Sequence, residues 1–154
     1  MAYAAKEGSV MYQTISNADN VIDPRQVIAR IEDLTSLRLE LRLDLIAADL
    51  RGDSECEAAR GAIIEWNAEF GAELQALCTL QGDAGGESWR QGETLIRDSY
   101  FGDYAREFAD AIGAVDKHVS WPHTCIDWDL AASELLQECT PVDFDGVKYW
   151  IHRD

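Results

Sequence analysis

Four residues between positions 118 and 127 have side chains that bind metals or take part in nucleophilic catalysis: His118, His123, Cys125 and Asp127. A zinc site would need ligands at established short spacings, and these spacings match none. A Cys–His nucleophile would need an oriented base and an oxyanion site, and the local sequence shows neither. Pro122 favours a loop that enters a helix capped by Asp127. We therefore predict no metal, no cofactor and no enzymatic activity. A small hydrolase or metal enzyme that uses His118, His123 and Cys125 is the weakest alternative.

Carboxylates are the reactive groups that the chain carries in excess. Its 154 residues include 29 acidic and 13 basic side chains, which gives a formal net charge of −16 and a pI near 4.4. Two acidic stripes stand out at helical spacing: Glu65, Glu69 and Glu73, and Asp103, Glu107 and Asp110. Carboxylates four residues apart are separated by about 6 Å along a helix axis. No Lys or Arg four residues away neutralises the first stripe, and only Arg106 relieves the second.

This charge excludes some partners and leaves two interpretations open. Phosphates of nucleic acid and anionic membrane surfaces would repel the protein. No apolar run approaches the roughly 20 residues of a membrane-spanning helix, and residues 1–10 lack the apolar stretch of a secretory signal. We therefore expect a cytoplasmic protein with its four cysteines reduced. The acids either form a solvated surface that keeps the protein soluble or imitate the phosphates of a duplex.

The N-terminal half predicts an antiparallel helical hairpin over residues 23–81. Residues 1–22 are weakly patterned, with one candidate strand over residues 10–15. Asp23-Pro24 starts a helix that ends near Gly52. Its leucines over residues 37–45 alternate with charged residues, as in a strand, but Leu, Arg and Glu are strong helix formers. As a helix, this segment has leucines on more than one face, which predicts self-association.

A second helix, residues 54–81, begins with the capping box of Ser54 and Glu57 and stops at Gly82. The glycines of residues 82–93 predict a linker. Residues 94–154 then predict a strand at 94–96, a helix capped by Asp98 or Ser99, a helix starting at Asp127, and a β-hairpin turning at Asp145-Gly146. The hairpin register pairs Phe144 with Val147, Val142 with Tyr149, and Asp143 with Lys148. The fold class is thus α+β: an N-terminal antiparallel helical hairpin followed by a small acidic module of two helices and a β-hairpin.

The acidic module also carries a family resemblance. Its basis is residues 95–101, Tyr104-Ala105, residues 126–128, Ala131-Ala132, Leu135 and residues 144–150. These positions resemble small acidic proteins of phages and mobile elements and the C-terminal domain of the antirestriction (ArdA-like) family. Members of that family are DNA mimics that dimerise and block type I restriction enzymes. Full-length members have further domains ahead of this module, where this chain has the helical hairpin.

The resemblance implies that ten acids act as phosphate surrogates: Asp98, Asp103, Glu107, Asp110, Asp127, Asp129, Glu134, Glu138, Asp143 and Asp145. The stripe of Glu65, Glu69 and Glu73 adds three more candidate contacts. We expect a non-enzymatic anti-defence inhibitor of phage or mobile-element origin, acting in the host bacterial cytoplasm. Its partners would be a DNA-engaging restriction or CRISPR complex and a second copy of itself, bound through the helical hairpin. The alternative is a dimeric structural or adaptor protein whose acids only solubilise it.

Overall fold

Two long helices form the N-terminal half of the fold. The computed structural model describes residues 14–52, 55–115 and 120–152, with α1 at Pro24–Arg51 and α2 at Glu55–Ala84. The predicted start of α1 is confirmed, because the Asp23 carboxylate accepts a hydrogen bond from the Arg25 N–H at 2.9 Å and Pro24 is the first helical residue. Ser54, the predicted cap of α2, lies outside the described residues. The helical hairpin is confirmed.

The buried face of α1 repeats every seven residues, at Val27, Leu34, Leu41 and Ala48. It packs in a core that includes Trp66, Leu74 and Leu77 of α2. The strand-like leucine alternation does not prevent helix formation, since long unbranched or γ-branched side chains fit either backbone. Leu41 is buried, whereas Leu39 and Leu43 are exposed. The prediction that the leucines occupy more than one face is therefore confirmed.

Residues 82–93 differ from the predicted linker. α2 continues past Gly82 to Ala84, and a short helix, α3, spans Glu87–Gln91. Trp89 in α3 is only 3% exposed and belongs to the same core as α1 and α2. Gly92 ends α3 with a φ of 83°, the left-handed conformation that favours glycine. Gly92 therefore marks the end of a helix, and α3 belongs to the same core as α2 before it and β2 after it.

Four strands form an antiparallel sheet in the order β1-β2-β4-β3: β1 at Val21–Ile22, β2 at Leu95–Arg97, β3 at Cys139–Phe144 and β4 at Val147–His152. The predicted β-hairpin register is confirmed at all three pairs. Asp145 and Gly146 have φ values of 50° and 79°, as a two-residue type I′ turn requires.

The structure contains a short N-terminal strand, β1, that the sequence analysis does not predict. Residues 10–13 of the candidate strand lie outside the described residues, and Thr14 and Ile15 are not in a strand. β1 pairs with β2 in the register Val21 to Ile96. A two-residue strand is too short to leave an alternating pattern in the sequence.

Both faces of the sheet are covered by helices. Val142, Phe144, Tyr149 and Ile151 face the core shared with α1, α2 and α3. Ile96, Cys139 and Trp150 face a second cluster with α4 (Phe101–Ala111) and α6 (Trp128–Leu136). A short segment, α5, spans Ser120–His123 between α4 and α6 and is interrupted by the extended backbone of Trp121, with φ −98° and ψ 133°. The sheet is therefore the middle layer between the helical hairpin and the α4–α6 pair.

One of the two predicted C-terminal caps is confirmed. The Asp127 carboxylate accepts a hydrogen bond from the Leu130 N–H at 3.0 Å and caps α6. The prediction that Asp98 or Ser99 caps α4 is wrong, because Asp98–Tyr100 form a 3₁₀ turn and Tyr100 precedes α4 without a side-chain cap. The Asp98 carboxylate binds two side chains of β4 instead.

Replacing Trp89 tests whether residues 82–93 belong to the core. Because Trp89 is buried, we expect Trp89→Ala to lower the free energy of unfolding by about 3–5 kcal/mol in urea denaturation. Trp121→Ala is the matched control, since Trp121 is 72% exposed, and its effect should stay within about 0.5 kcal/mol. Equal effects of the two variants would contradict this packing.

Candidate acidic interface

One face of α2 carries acids without a described cation partner. At 100° per residue, Glu65, Glu69 and Asp83 fall on one face of this helix. All three side chains are exposed, and no described side chain pairs with any of them. Like charges close together on a helix repel one another, so such a face costs stability unless a partner uses it. The sequence analysis does not predict Asp83 as a site residue, because the glycines of residues 82–93 predict a linker at this position.

The tip of the β-hairpin adds two acids beside this face. Asp143 and Asp145 line a cleft of about 340 Å³ with Ala72, Thr79 and Asp83 of α2. The Asp143 carboxylate accepts a hydrogen bond from the Gly146 N–H at 3.1 Å, which fixes it at the turn. We call Glu65, Glu69, Asp83, Asp143 and Asp145 the acidic ridge. Folding thus places the two hairpin acids beside Asp83, from a distant segment of the chain.

Glu73 does not belong to this ridge. Its two carboxylate oxygens accept hydrogen bonds from the Arg30 guanidinium at 2.7 and 3.0 Å, a bidentate pair across the helical hairpin. The hydrogen bond to Glu73 raises the pKa of Arg30 above its ordinary value. In the stripe predicted at Glu65, Glu69 and Glu73, therefore, only the first two carboxylates lack a described cation partner.

Asp98 is held by two groups on β4. It accepts a hydrogen bond from the Trp150 indole N–H at 2.7 Å and pairs with the Lys148 ammonium at 2.9 Å. These contacts, the one with Lys148 first, lower the pKa of Asp98 below its ordinary 3.8. Lys148 stands opposite Asp143 in the sheet register, as predicted, but its ion pair is with Asp98.

Four other predicted acids have partners within the module. Asp103 lies 3.9 Å from Arg106, Asp110 lies 3.6 Å from His123, and Glu138 lies 3.5 Å from His152. Glu107 accepts a hydrogen bond from the Tyr100 hydroxyl at 2.7 Å, and this bond raises the pKa of Tyr100. The second stripe, Asp103, Glu107 and Asp110, therefore has Arg106 as its nearby cation, as its sequence suggests, and Tyr100 as a neutral hydrogen-bond donor.

The last three predicted acids are the N-terminal cap of α6 and two residues within this helix. Asp127 is the helix cap, whereas Asp129 and Glu134 are exposed without a described cation nearby. Acids in the first turn are stabilised by the positive end of the helix dipole. Asp127 and Asp129 therefore have a local structural role besides any contact with a partner.

Of the four residues considered for metal or nucleophile chemistry, the structure describes His123, Cys125 and Asp127. His118 lies outside the described residues, and Cys125 is exposed. His123 faces Asp110 and packs against Trp128 with ring centroids 6.0 Å apart. Over residues 14–52, 55–115 and 120–152, no three His, Cys, Asp or Glu side chains are grouped so that they could hold a metal ion. Within the same ranges, no helix has the length and apolarity needed to cross a membrane.

Comparisons with known proteins found no matching family model, no matching curated protein and no matching solved structure.

The pH dependence of Asp98 tests its ion pair. Because the folded state lowers the pKa of Asp98, its contacts stabilise the fold above the ordinary value of 3.8, and this stabilisation is lost as the pH falls through the folded-state pKa. We expect the Asp98 carboxyl carbon to titrate below 3.8 in an NMR titration. In Lys148→Met the midpoint should move upward, and in Lys148→Arg it should stay low. An unchanged midpoint in Lys148→Met would contradict the assignment.

Proposed function

We propose that this chain is a non-enzymatic inhibitor whose acidic surface occupies the DNA-binding groove of a defence complex and excludes DNA. The observation that carries the proposal is the acidic ridge, five carboxylates without a described cation along α2 and the hairpin tip. Basic grooves that bind DNA offer complementary charge to such a surface, and binding of the ridge there would relieve its self-repulsion.

The dimensions of the ridge suit a segment of duplex. From Glu65 to Asp83 the α2 axis rises by roughly 27 Å, the length of about eight base pairs. One DNA strand of that length carries about eight phosphates, compared with five carboxylates on the ridge. The ridge therefore imitates part of one strand. The acids of α4 and α6 would extend the negative surface, although several of them are paired within the module.

The proposed target is a restriction or CRISPR complex that binds DNA, and the proposed setting is the cytoplasm of a bacterial cell infected by a phage or carrying a mobile element. The resemblance of residues 94–154 to the antirestriction (ArdA-like) family supports this choice of target. The acidic surface explains why the protein itself would not bind nucleic acid or an anionic membrane.

A competition assay tests the proposal. Purified restriction and CRISPR complexes are held with a fixed amount of labelled duplex while this protein is added, at low and at physiological salt. We expect displacement of the duplex from at least one complex, and weaker displacement at the higher salt, because screening reduces attraction between exposed charges. Displacement from none of the complexes would contradict the proposal.

Charge-neutralising variants locate the contact. Glu65→Gln, Glu69→Gln and Asp83→Asn together should weaken displacement about tenfold or more, since three charge contacts are lost. The matched control is Glu32→Gln, Glu40→Gln and Glu57→Gln, which removes the same charge from exposed acids of the helical hairpin outside the ridge. The control should stay within about twofold of the unmodified protein. Equal inhibition by the ridge variant and the unmodified protein would exclude the ridge as the contact.

A structural or adaptor role is the second candidate function. The observation that favours it is a set of apolar side chains exposed on α1, among them Leu43 and Leu50. In that case the acids only solubilise the protein, and the ridge variant would keep all partner binding.

A further inference from the structure

One side of α1 exposes apolar side chains in a regular pattern. Leu39, Leu43, Ile46 and Leu50 are 55–83% exposed and follow one another at intervals of four, three and four residues. We call these four residues the α1 stripe. On the helix they lie almost opposite Leu34, Leu41 and Ala48, which face α2. The helical hairpin therefore leaves the α1 stripe uncovered.

The spacing of the α1 stripe is that of a coiled-coil seam. Intervals of four and three residues place side chains at alternating a and d positions, which pack as knobs into the holes of a second helix. In this assignment Leu43 and Leu50 occupy heptad position a, and Leu39 and Ile46 occupy heptad position d. Arg42 and Asp49 then occupy the flanking g positions, where charges decide the partner and its direction.

The charge on α1 makes a second copy of this chain the fitting occupant. Residues 24–51 contain five acidic and five basic side chains, whereas residues 55–84 contain six acidic and only one basic. The helix with the apolar stripe is thus electrically neutral in a chain of net charge −16. Two copies repel each other least when they meet through α1.

The flanking charges select the antiparallel direction. When two copies of α1 run antiparallel with Leu43 of one opposite Ile46 of the other, Arg42 of each copy lies beside Asp49 of the other copy. Because the dimer is twofold symmetric, this ion pair occurs twice in the interface. In a parallel pair the residue facing Arg42 is Ala47, and no ion pair forms there. In the described residues, the only side chain that contacts the Asp49 carboxylate is the Cys56 thiol, at 3.9 Å.

We infer that the protein forms a twofold-symmetric dimer in which the α1 stripes of two copies pack as a short antiparallel coiled coil. Residues 39–50 span only about 17 Å of helix, so the interface is smaller than that of a standard stable complex. The dimer should accordingly be weak, with a dissociation constant in the micromolar range. The acidic ridge lies on α2 and the hairpin tip, and this dimer leaves it uncovered.

Sedimentation equilibrium between about 2 and 200 µM tests the dimer, over the range in which short interfaces associate. We expect the mass to rise from 17.2 kDa toward twice that value. Leu43→Gln with Ile46→Gln should raise the dissociation constant at least tenfold with unchanged helix content, because both side chains are exposed in the single chain. The matched control, Ile64→Gln with Leu130→Gln, removes two apolar side chains that are exposed elsewhere and should leave the mass curve unchanged.

The direction is tested by exchanging the flanking charges. Arg42→Asp should weaken the dimer, and adding Asp49→Arg to it should restore the original affinity, because the ion pair is re-formed with its charges reversed. Failure of the restoration would overturn the antiparallel register. A monomer at all concentrations, or equal weakening by the stripe variant and its control, would overturn the dimer and leave another protein as the partner of the stripe. None of these results depends on the DNA competition assay.

Discussion

The sheet lies between two apolar cores, and this constraint sets the register of its central strand, β4. Tyr149 and Ile151 are buried against the helical hairpin, whereas Trp150 faces α4 and α6. A slip of one residue would move each side chain to the opposite core. Two polar groups hold the register: the Tyr149 hydroxyl donates to the Asp19 carbonyl at 2.6 Å, and the Trp150 N–H donates to Asp98. The N-terminal segment and the 3₁₀ turn are thereby attached to opposite sides of one strand.

The large net charge is distributed unevenly because the fold neutralises some acids and not others. Glu73 is paired where α2 packs on α1, since a half-buried carboxylate needs a partner more than an exposed one does. Asp98 is paired with Lys148 where the acidic module packs on itself. Part of the remaining excess lies on the acidic ridge, and another part lies on α6 at Asp129 and Glu134. Packing and charge therefore divide the helical hairpin into a neutral helix and an acidic one.

The sequence predicts well the features that depend on neighbouring residues. Asp23-Pro24, Asp127 and Asp145-Gly146 each act within a few positions, and the structure confirms them. The features that it misses depend on distant partners. The Arg30–Glu73 pair joins residues 43 positions apart, and β1 exists only because β2 lies beside it. The glycines at the ends of α3 favour a linker in the sequence, whereas the burial of Trp89 depends on the whole core. The sequence predicts four of the five acids of the ridge, but it predicts neither Asp83 nor the position of the hairpin acids beside α2, which depends on folding.

The position of β4 has a consequence for the order of assembly during synthesis. β4 is the last described strand along the chain but lies between β2 and β3 in the sheet. α1 and α2 are neighbours in sequence and can pair as soon as both have left the ribosome. β2 then has only the two residues of β1 beside it, which is too little to be stable alone. Ile96 and Arg97 therefore stay without their partners on β4 until that strand emerges, and we expect the nascent intermediate to expose an unpaired strand edge.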